Sequence, residues 1–411
     1  MPVGTGSPDE AVADFLNGLA GRPLVVAVSG GGDSMALLHL LAGKADLAAV
    51  TVNHGLRPEA GAEAVAVAAS CAGLGVPHQV LHWRWDGLGN LSDAARRGRM
   101  ALIGGWAVAR GAGDVALGHT ADDQAETFLM RLARGSGVDG LSAMSEARMA
   151  QGVMWHRPLL AIRRQALRDW LTARGVAWFD DPTNDDAAYL RVRARAALLA
   201  LQPLGISVET LGKAADLQAM ASTALWRLAA DAARRMARID GGDVLFDRAA
   251  MMALPCETQL RLLAHAVMFV SSAIYRPRLQ SLAAIHAGLV IGQQRTLGGC
   301  LVTAGRIGLR VTREWQAVQA MRCGTDAVWD RRWQLQGPQT KGLQIAALGT
   351  TGLAALPDWR DTGVPRSTLL ASPAVWRGDD LVAAPLAGWA NGWQADLTQG
   401  TDQFFTSLLS H

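Results

Sequence analysis

Residues 25–41 read VVAVSGGGDSMALLHLL, a β-branched run that stops at Ser-Gly-Gly-Gly-Asp-Ser and resumes with a different spacing. A continuous apolar run is the mark of a strand buried on both faces, and the new spacing is helical. The succession repeats along the first half of the chain. LAAVTVN is a second strand, EAGAEAVAVAASCAGLGV an alanine-rich helix, and HQVLHW a third strand. SDAARRGRMALIGGWAVARG is a helix with a Ser92/Asp93 cap signal, DVALGH a fourth strand, and ADDQAETFLMRLARG a further helix. Strands alternating with helices predict parallel β-α-β units, hence an α/β, doubly wound parallel sheet.

Near residue 200 the pattern changes. SVETLGKAADLQAMASTALWRLAADAARRMARI is helical, GGDVLFDRAAMMALP reads as a short strand and a helix start, and RTLGGCLVTAGRIGLRVTRE reads as a β-hairpin. After Trp315 the chain is rich in Gly, Pro and Trp, with short strand-like pieces. The expected division is a catalytic domain at 1–205, a mainly helical middle domain at 206–315 and a small β-rich module at 316–411. No apolar run reaches the roughly 18 residues of a membrane span. The opening MPVGTGSPDEAVADF lacks a basic-then-apolar leader, so the expectation is a cytoplasmic protein. Cys71, Cys256, Cys300 and Cys323 form no Cys-x-x-Cys pair, and we read them as small hydrophobes, not as ligands. Net charge is +3, with the surplus in the middle segment, where residues 206–315 hold 13 basic and 8 acidic side chains. That segment is expected to help hold a polyanion if there is one, with Arg234, Arg235 and Arg238 as neighbours on one helical face.

In an open parallel sheet ligands bind at the carboxyl ends of the strands. SGGGDS lies there and opens the first helix of the repeat. Glycines let the backbone approach an anion, and helix-opening amides favour negative charge. Ser29, Gly30, Gly31, Gly32, Asp33 and Ser34 are therefore candidate phosphate-binding residues, with the serine hydroxyls as added donors. A carboxylate beside a phosphate makes sense with a divalent cation between them, which singles out Asp33; a plain glycine turn with an Asp/Ser cap is the simpler alternative. No lysine follows the glycines, which excludes the Walker pattern, and the glycines are consecutive, which excludes the dinucleotide fingerprint. The run resembles the PP-loop motif of ATP pyrophosphatases.

Residues 117–141, LGHTADDQAETFLMRLARGSGVDGL, make a second constellation. His119 and Asp123 are four apart, as are Asp122 and Glu126. A helix starting at Ala121 would gather carboxylates at its first turn, favouring the helix dipole and inviting a cation. Arg-Gly-Ser-Gly after it is another anion-friendly loop, with Arg131 and Arg134 beside it. With these runs the sequence resembles the tRNA(Ile)-lysidine synthetase family. VNHGLRPEA, AARRGRM (Ala95, Arg96, Arg99) and DDPTNDDAAYLRVRAR (Arg191, Arg195) match further family runs. Met100 and Val192 replace a family tyrosine and asparagine. The likeness is dense from residue 24 to about 200 and weak after Trp315.

The resemblance implies a reaction. ATP adenylates the 2-carbonyl oxygen of the first anticodon cytidine of a minor isoleucine tRNA with the anticodon CAU, and pyrophosphate leaves. The ε-amine of free L-lysine then displaces AMP to give lysidine. Pyrophosphate departure calls for Mg²⁺ and amides, with Asp33 and Asp123 as candidate metal-holding carboxylates. His119 is expected to steady the phosphoryl group or the adenylate, and Arg99 and Arg191 to pair with its oxyanions. Each of the three has a structural alternative, as a helix-flanking histidine or a salt-bridge partner. A thiolase of the same superfamily would want catalytic or cluster-binding cysteines, usually including a Cys-x-x-Cys pair, which this chain lacks. A non-catalytic nucleotide- or tRNA-binding protein would not need so many acids beside a phosphate. A homodimer is left open.

Overall fold

A computed structural model describes residues 6–55, 60–180, 186, 188–306 and 308–409. Leu56–Glu59 of the VNHGLRPEA run, and residues 181–185 and 187 of the DDPTNDDAAYLRVRAR run, lie outside the described residues. The chain divides into two compact units, 1–222 and 223–411.

The first unit is built on β1 (Leu24–Ala27), β2 (Leu47–Asn53), β3 (His78–His82), β4 (Asp114–Leu117), β5 (Ala147–Ala150) and β6 (Val153–His156). Their order in the sheet is β3-β2-β1-β4-β6-β5. Five strands are parallel, the four that the alternation predicts and β6, and β5 closes the edge antiparallel to β6. The β5–β6 turn places Gln151 at φ 49° and Gly152 at φ 77°, the left-handed pair of a tight hairpin. Around the sheet run α1 (Pro8–Leu19), α2 (Gly32–Leu41), α3 (Ala60–Gly73), α4 (Leu91–Ala109), α5 (Ala121–Leu132), α6 (Val138–Leu141), α7 (Arg164–Thr172) and α8 (Leu190–Leu201). Leu37, Leu38, Leu40 and Leu41 of α2 are fully buried, each contributing about 1.5–3 kcal/mol of transfer free energy. This anchors the helix whose opening turn carries the glycine loop. The cap of α4 is Asn90, whose side chain accepts from the Asp93 amide, two residues earlier than the Ser92 signal implies.

The helix α9 (Val208–Met236) runs across the division between the units. It ends at Met236, so Arg238 lies on β7 (Ala237–Asp240) and not on a helical face with Arg234 and Arg235. That corrects the grouping read from the sequence. In the second unit β7, β8 (Asp243–Asp247), β9 (Arg295–Leu297), β10 (Cys300–Ala304) and β11 (Gly308–Arg313) form one sheet in the order β7-β8-β11-β10-β9. The helices α10 (Arg248–Met252), α11 (Cys256–Ser271) and α12 (Leu279–Val290) belong with it. Residues 316–411 are β-rich, with a four-stranded sheet and the pair Trp333–Gln336 and Gln394–Leu397. The chain then returns, inserting Phe404 and Leu408 into the core of α9, α11 and the β7–β11 sheet. Cys71 and Cys300 are buried as expected, whereas Cys256 is exposed at the start of α11.

His265 on α11 donates from Nε2 to the Phe404 carbonyl at 2.9 Å, with its ring against Trp226 and Phe404. Burial pushes its pKa down to about 4. An unfolded chain takes up this proton near pH 6.5 and the folded one refuses it until about pH 4. Stability should therefore fall as pH drops through that window, by on the order of 2–3 kcal/mol. Urea midpoints at pH 7 and pH 5 test this. His265→Gln should flatten the difference, and an equal difference in both proteins would acquit His265.

Candidate active site

At the end of β1 the backbone turns at Gly30, whose φ of 90° lies in the left-handed region that glycine tolerates. Gly31 caps α2, and Gly32, Asp33 and Ser34 form its first turn, where the opening amides lack intrahelical acceptors. Ser34 is buried and braces the loop: its hydroxyl donates to the Gly31 carbonyl at 2.9 Å and accepts from the Ser29 amide at 3.1 Å. Ser29 stays exposed, its Oγ 3.2 Å from that of Ser34. From outside the loop, Phe179 donates its amide to the Gly30 carbonyl at 3.0 Å and bridges Gly31 in parallel. This buttress has no signal in the sequence. Gly118, after β4, is a second glycine with a specific reason, since a Cβ there would lie 2.8 Å from the Asp33 carbonyl oxygen. That close approach brings the ends of β1 and β4 together.

The helix α5 starts at Ala121 as the sequence implies. Thr120 caps it in a reciprocal box with Asp123, whose Oδ2 accepts from the Thr120 amide and hydroxyl at 2.9 and 3.0 Å. Asp123 Oδ1 takes no part in the box. Between the two carboxylates lies a side chain the sequence reading missed. Arg164 donates from Nε to Asp33 Oδ2 at 3.1 Å, from Nη2 to Asp123 Oδ1 at 2.9 Å and from Nη1 to Glu126 Oε1 at 3.2 Å. Asp122 holds this arginine in place by accepting its backbone N–H at 2.7 Å, at the start of α7, while also pairing with Arg163. Glu126 is 1% exposed and gathers Arg195 at 3.0 Å; Arg191 Nε lies 3.3 Å from its other oxygen. Asp33, Asp123 and Arg191 thus converge, and Asp122 and Glu126 serve as their scaffolding.

Burial raises the Asp33 carboxyl to about 6; Arg164 opposes the shift, and Asp123 adds to it. Burial works the same way on Asp123, but Arg164, Arg191, His119 and the Thr120 amide outweigh it and hold that carboxyl below its usual range. His119 has its Nδ1 buried without a partner. Burial, against the pull of Asp123 and with the push of Arg157, Arg191 and Arg96, lowers it to about 4. It is a neutral imidazole at neutral pH, a hydrogen-bonding group and not a cation. Arg99 is largely desolvated, which lowers its pKa, and Arg96 and Arg191 lower it further. Its charge also bears on His54, whose Nδ1 is buried and unpartnered and whose ring meets Trp83 edge-on. His54 lies in the VNHGLRPEA run.

The arrangement is a carboxylate pair bridged by a guanidinium at the mouth of a glycine loop, with a neutral histidine and further arginines beside it. A family model for the PP-loop domain matches residues 8–202. The tRNA(Ile)-lysidine synthase of Ruegeria pomeroyi is 50% identical over 396 residues, spanning 95% of this chain and 94% of that protein. The chain belongs to the tRNA(Ile)-lysidine synthase family. A member from Bradyrhizobium sp. is 36% identical over 342 residues, 76% of this chain and 95% of its own. Among solved structures, the U34-tRNA thiolase NcsA from Methanococcus maripaludis aligns over 51% of this chain and 77% of its own, at 16% identity and a TM-score of 0.44. The match to the lysidine synthase family runs well past residue 315, further than the motifs alone carry. No helix among the described residues is long and apolar enough to cross a membrane.

Proposed function

We propose that this chain makes lysidine at the first anticodon position of a tRNA(Ile) with the anticodon CAU, from ATP and free L-lysine. The observation that carries the reading is the meeting of Asp33 and Asp123 on Arg164 beside neutral His119, in a chain of this family. In the first step the cytidine 2-oxygen bonds to the α-phosphorus of ATP, and the α–β bridge breaks to release pyrophosphate. In the second the lysine nitrogen bonds to C2, loses a proton, and AMP departs with the oxygen. The loop at 29–34 offers its backbone to the phosphates. Arg99 and Arg191 supply guanidinium forks for the oxyanions of the adenylate, and His119, as a neutral ring, orients without adding charge.

Asp33 and Asp123 would hold Mg²⁺. Their free charge supports the fit, since the two carboxylates share one guanidinium, and Asp33 keeps a raised pKa in spite of it. Among the described residues no group of three or more His, Cys, Asp or Glu is arranged around a metal position. Two carboxylates with phosphate oxygens and water completing the shell are the usual magnesium environment. When bound, the ion supplies charge neutralisation to the departing pyrophosphate. We further propose residues 1–205 as the catalytic part, and 206–315 as the part that grips the tRNA body. Residues 316–411 serve either the RNA or a second copy in a homodimer.

The test is a tRNA transcript with the CAU anticodon, incubated with ATP and lysine and digested to nucleosides for mass analysis. Lysidine should form only with both small substrates present, with one pyrophosphate released per nucleoside. A sulfur-containing nucleoside, or modification without pyrophosphate release, would overturn the reading.

A further inference from the structure

Arg131, in the last turn of α5, donates from one terminal nitrogen to the carbonyls of Gly140 and Ala143 at 2.8 and 2.7 Å. Arg157, the residue after β6, donates to the Ser145 carbonyl at 2.7 Å. These two guanidiniums pin the segment of residues 133–146, which holds the Arg-Gly-Ser-Gly run and α6. Arg157 is 7% exposed, and its Nε has no partner at all. Burial lowers both arginines, Arg157 to about 10, and Arg96 and Arg148 lower both further; Arg134 adds its push on Arg131. Five positive groups from α4, α5, the loop after it, β5 and the end of β6 therefore crowd together. Among the described residues none of the five has a carboxylate within ion-pair distance, whereas Arg164, Arg191 and Arg195 share Glu126 close by.

A desolvated guanidinium with an idle N–H and no counter-charge is costly for a fold to keep. We propose that Arg96, Arg131, Arg134, Arg148 and Arg157 form a second anion site, separate from the loop at 29–34, which takes a backbone phosphate of the RNA substrate. Guanidinium forks match phosphate oxygens, and the buried Nε of Arg157 is the donor still to be used. Arg96, Arg134 and Arg148 are exposed and stand on different elements. That spread suits a polyanion better than a single small ion. The site borders His119, which feels Arg157 and Arg96 directly, so a phosphate held here would fix the strand next to the reacting base. The inference rests on the proposed function only in taking tRNA as the RNA.

The experiment uses the full chain with Arg134→Gln/Arg148→Gln, both exposed positions, and separately Arg157→Lys. The probes are two RNA hairpins with the anticodon stem, one with the CAU loop and one with a scrambled loop. Affinity is read by anisotropy across a KCl series, beside the affinity for ATP and for pyrophosphate. The double variant should bind both hairpins about 5- to 10-fold more weakly. Its log-log salt slope should flatten by roughly 1.4–1.8, at 0.7–0.9 per lost contact. Affinity for ATP and pyrophosphate should hold. Unchanged hairpin affinity and slope in both variants would overturn the proposal. So would weakened ATP or pyrophosphate binding with hairpin affinity intact, because the anion would then come from the nucleotide. Hairpin binding needs no turnover, so a wild-type protein that formed no lysidine would sink the proposed function and leave this test standing.

Discussion

Asp33→Asn is expected to cut pyrophosphate release by about 1000-fold or more while leaving the melting temperature unchanged or a few degrees higher. The two halves of that expectation come from the same local physics. Asp33 sits on the first turn of α2 with its carboxyl raised to about 6 by burial. A folded-state value above the unfolded one means the ionised form is disfavoured by folding. Stability is lost as pH rises from about 4 through about 6, and the loss is complete above that. At neutral pH the ionised group costs on the order of 2–3 kcal/mol, and a neutral amide of the same shape removes the cost. Asn Oδ1 can still accept from Arg164 Nε, which now donates to the carboxylate at 3.1 Å. What the amide cannot do is hold the Mg²⁺ proposed for the departing phosphates with a full negative charge, an effect of several kcal/mol, and each 1.36 kcal/mol is tenfold in rate. The check is a thermal melt beside pyrophosphate release on the tRNA transcript. A fall in Tm beyond about 5 °C would make Asp33 a structural residue, and release within tenfold of wild type would remove it from the chemistry.

The parts of this site that could be read from the sequence are those whose reasons are local. A buried run ending in glycines locates the β1–α2 turn, because backbone approach and a positive φ require Gly there. The Thr120-x-x-Asp123 spacing locates the start of α5, because the cap box is written within four consecutive residues. Arg164 has no local reason. It lies 131 residues from Asp33 and 41 from Asp123 in the chain, and IRRQ reads as an ordinary helix start. Only the parallel sheet, which sets the carboxyl ends of β1 and β4 side by side, makes one guanidinium serve both. The buttress at Phe179 escapes for the same reason, as a main-chain contact that any residue but proline could make. The hairpin of β5 and β6 is four residues a side, too short for alternation to register. Arg238 shows the opposite failure: the helical period continues in the letters for two residues after the hydrogen bonds have changed to those of a strand.

Removing the shared guanidinium should have the largest effect on the fold. Arg164→Met leaves Asp33, Asp123 and the buried Glu126 facing one another with one positive charge fewer. Breaking a buried ion pair from one side costs about 3–5 kcal/mol, and Arg164 is 19% exposed, which puts this site in that class. In a unit of the size of residues 1–222 the loss is about 6–20 °C in Tm. Glu126 keeps Arg191 and Arg195, so the unrelieved repulsion falls on Asp33 and Asp123. Two consequences follow from that placement. Adding Asp33→Asn to Arg164→Met should restore at least half of the lost Tm, because the neutral amide ends the repulsion. Millimolar Mg²⁺ should raise the Tm of Arg164→Met more than that of wild type, and NaCl at matched ionic strength should not, because only a cation seated between the carboxylates replaces the missing charge. Melts of the three variants with EDTA, Mg²⁺ or NaCl read all of this without any turnover. Arg164→Met melting within 2 °C of wild type would show that the guanidinium carries none of the burden assigned to it. Equal responses to Mg²⁺ and NaCl would show that Asp33 and Asp123 do not make a seat for the ion.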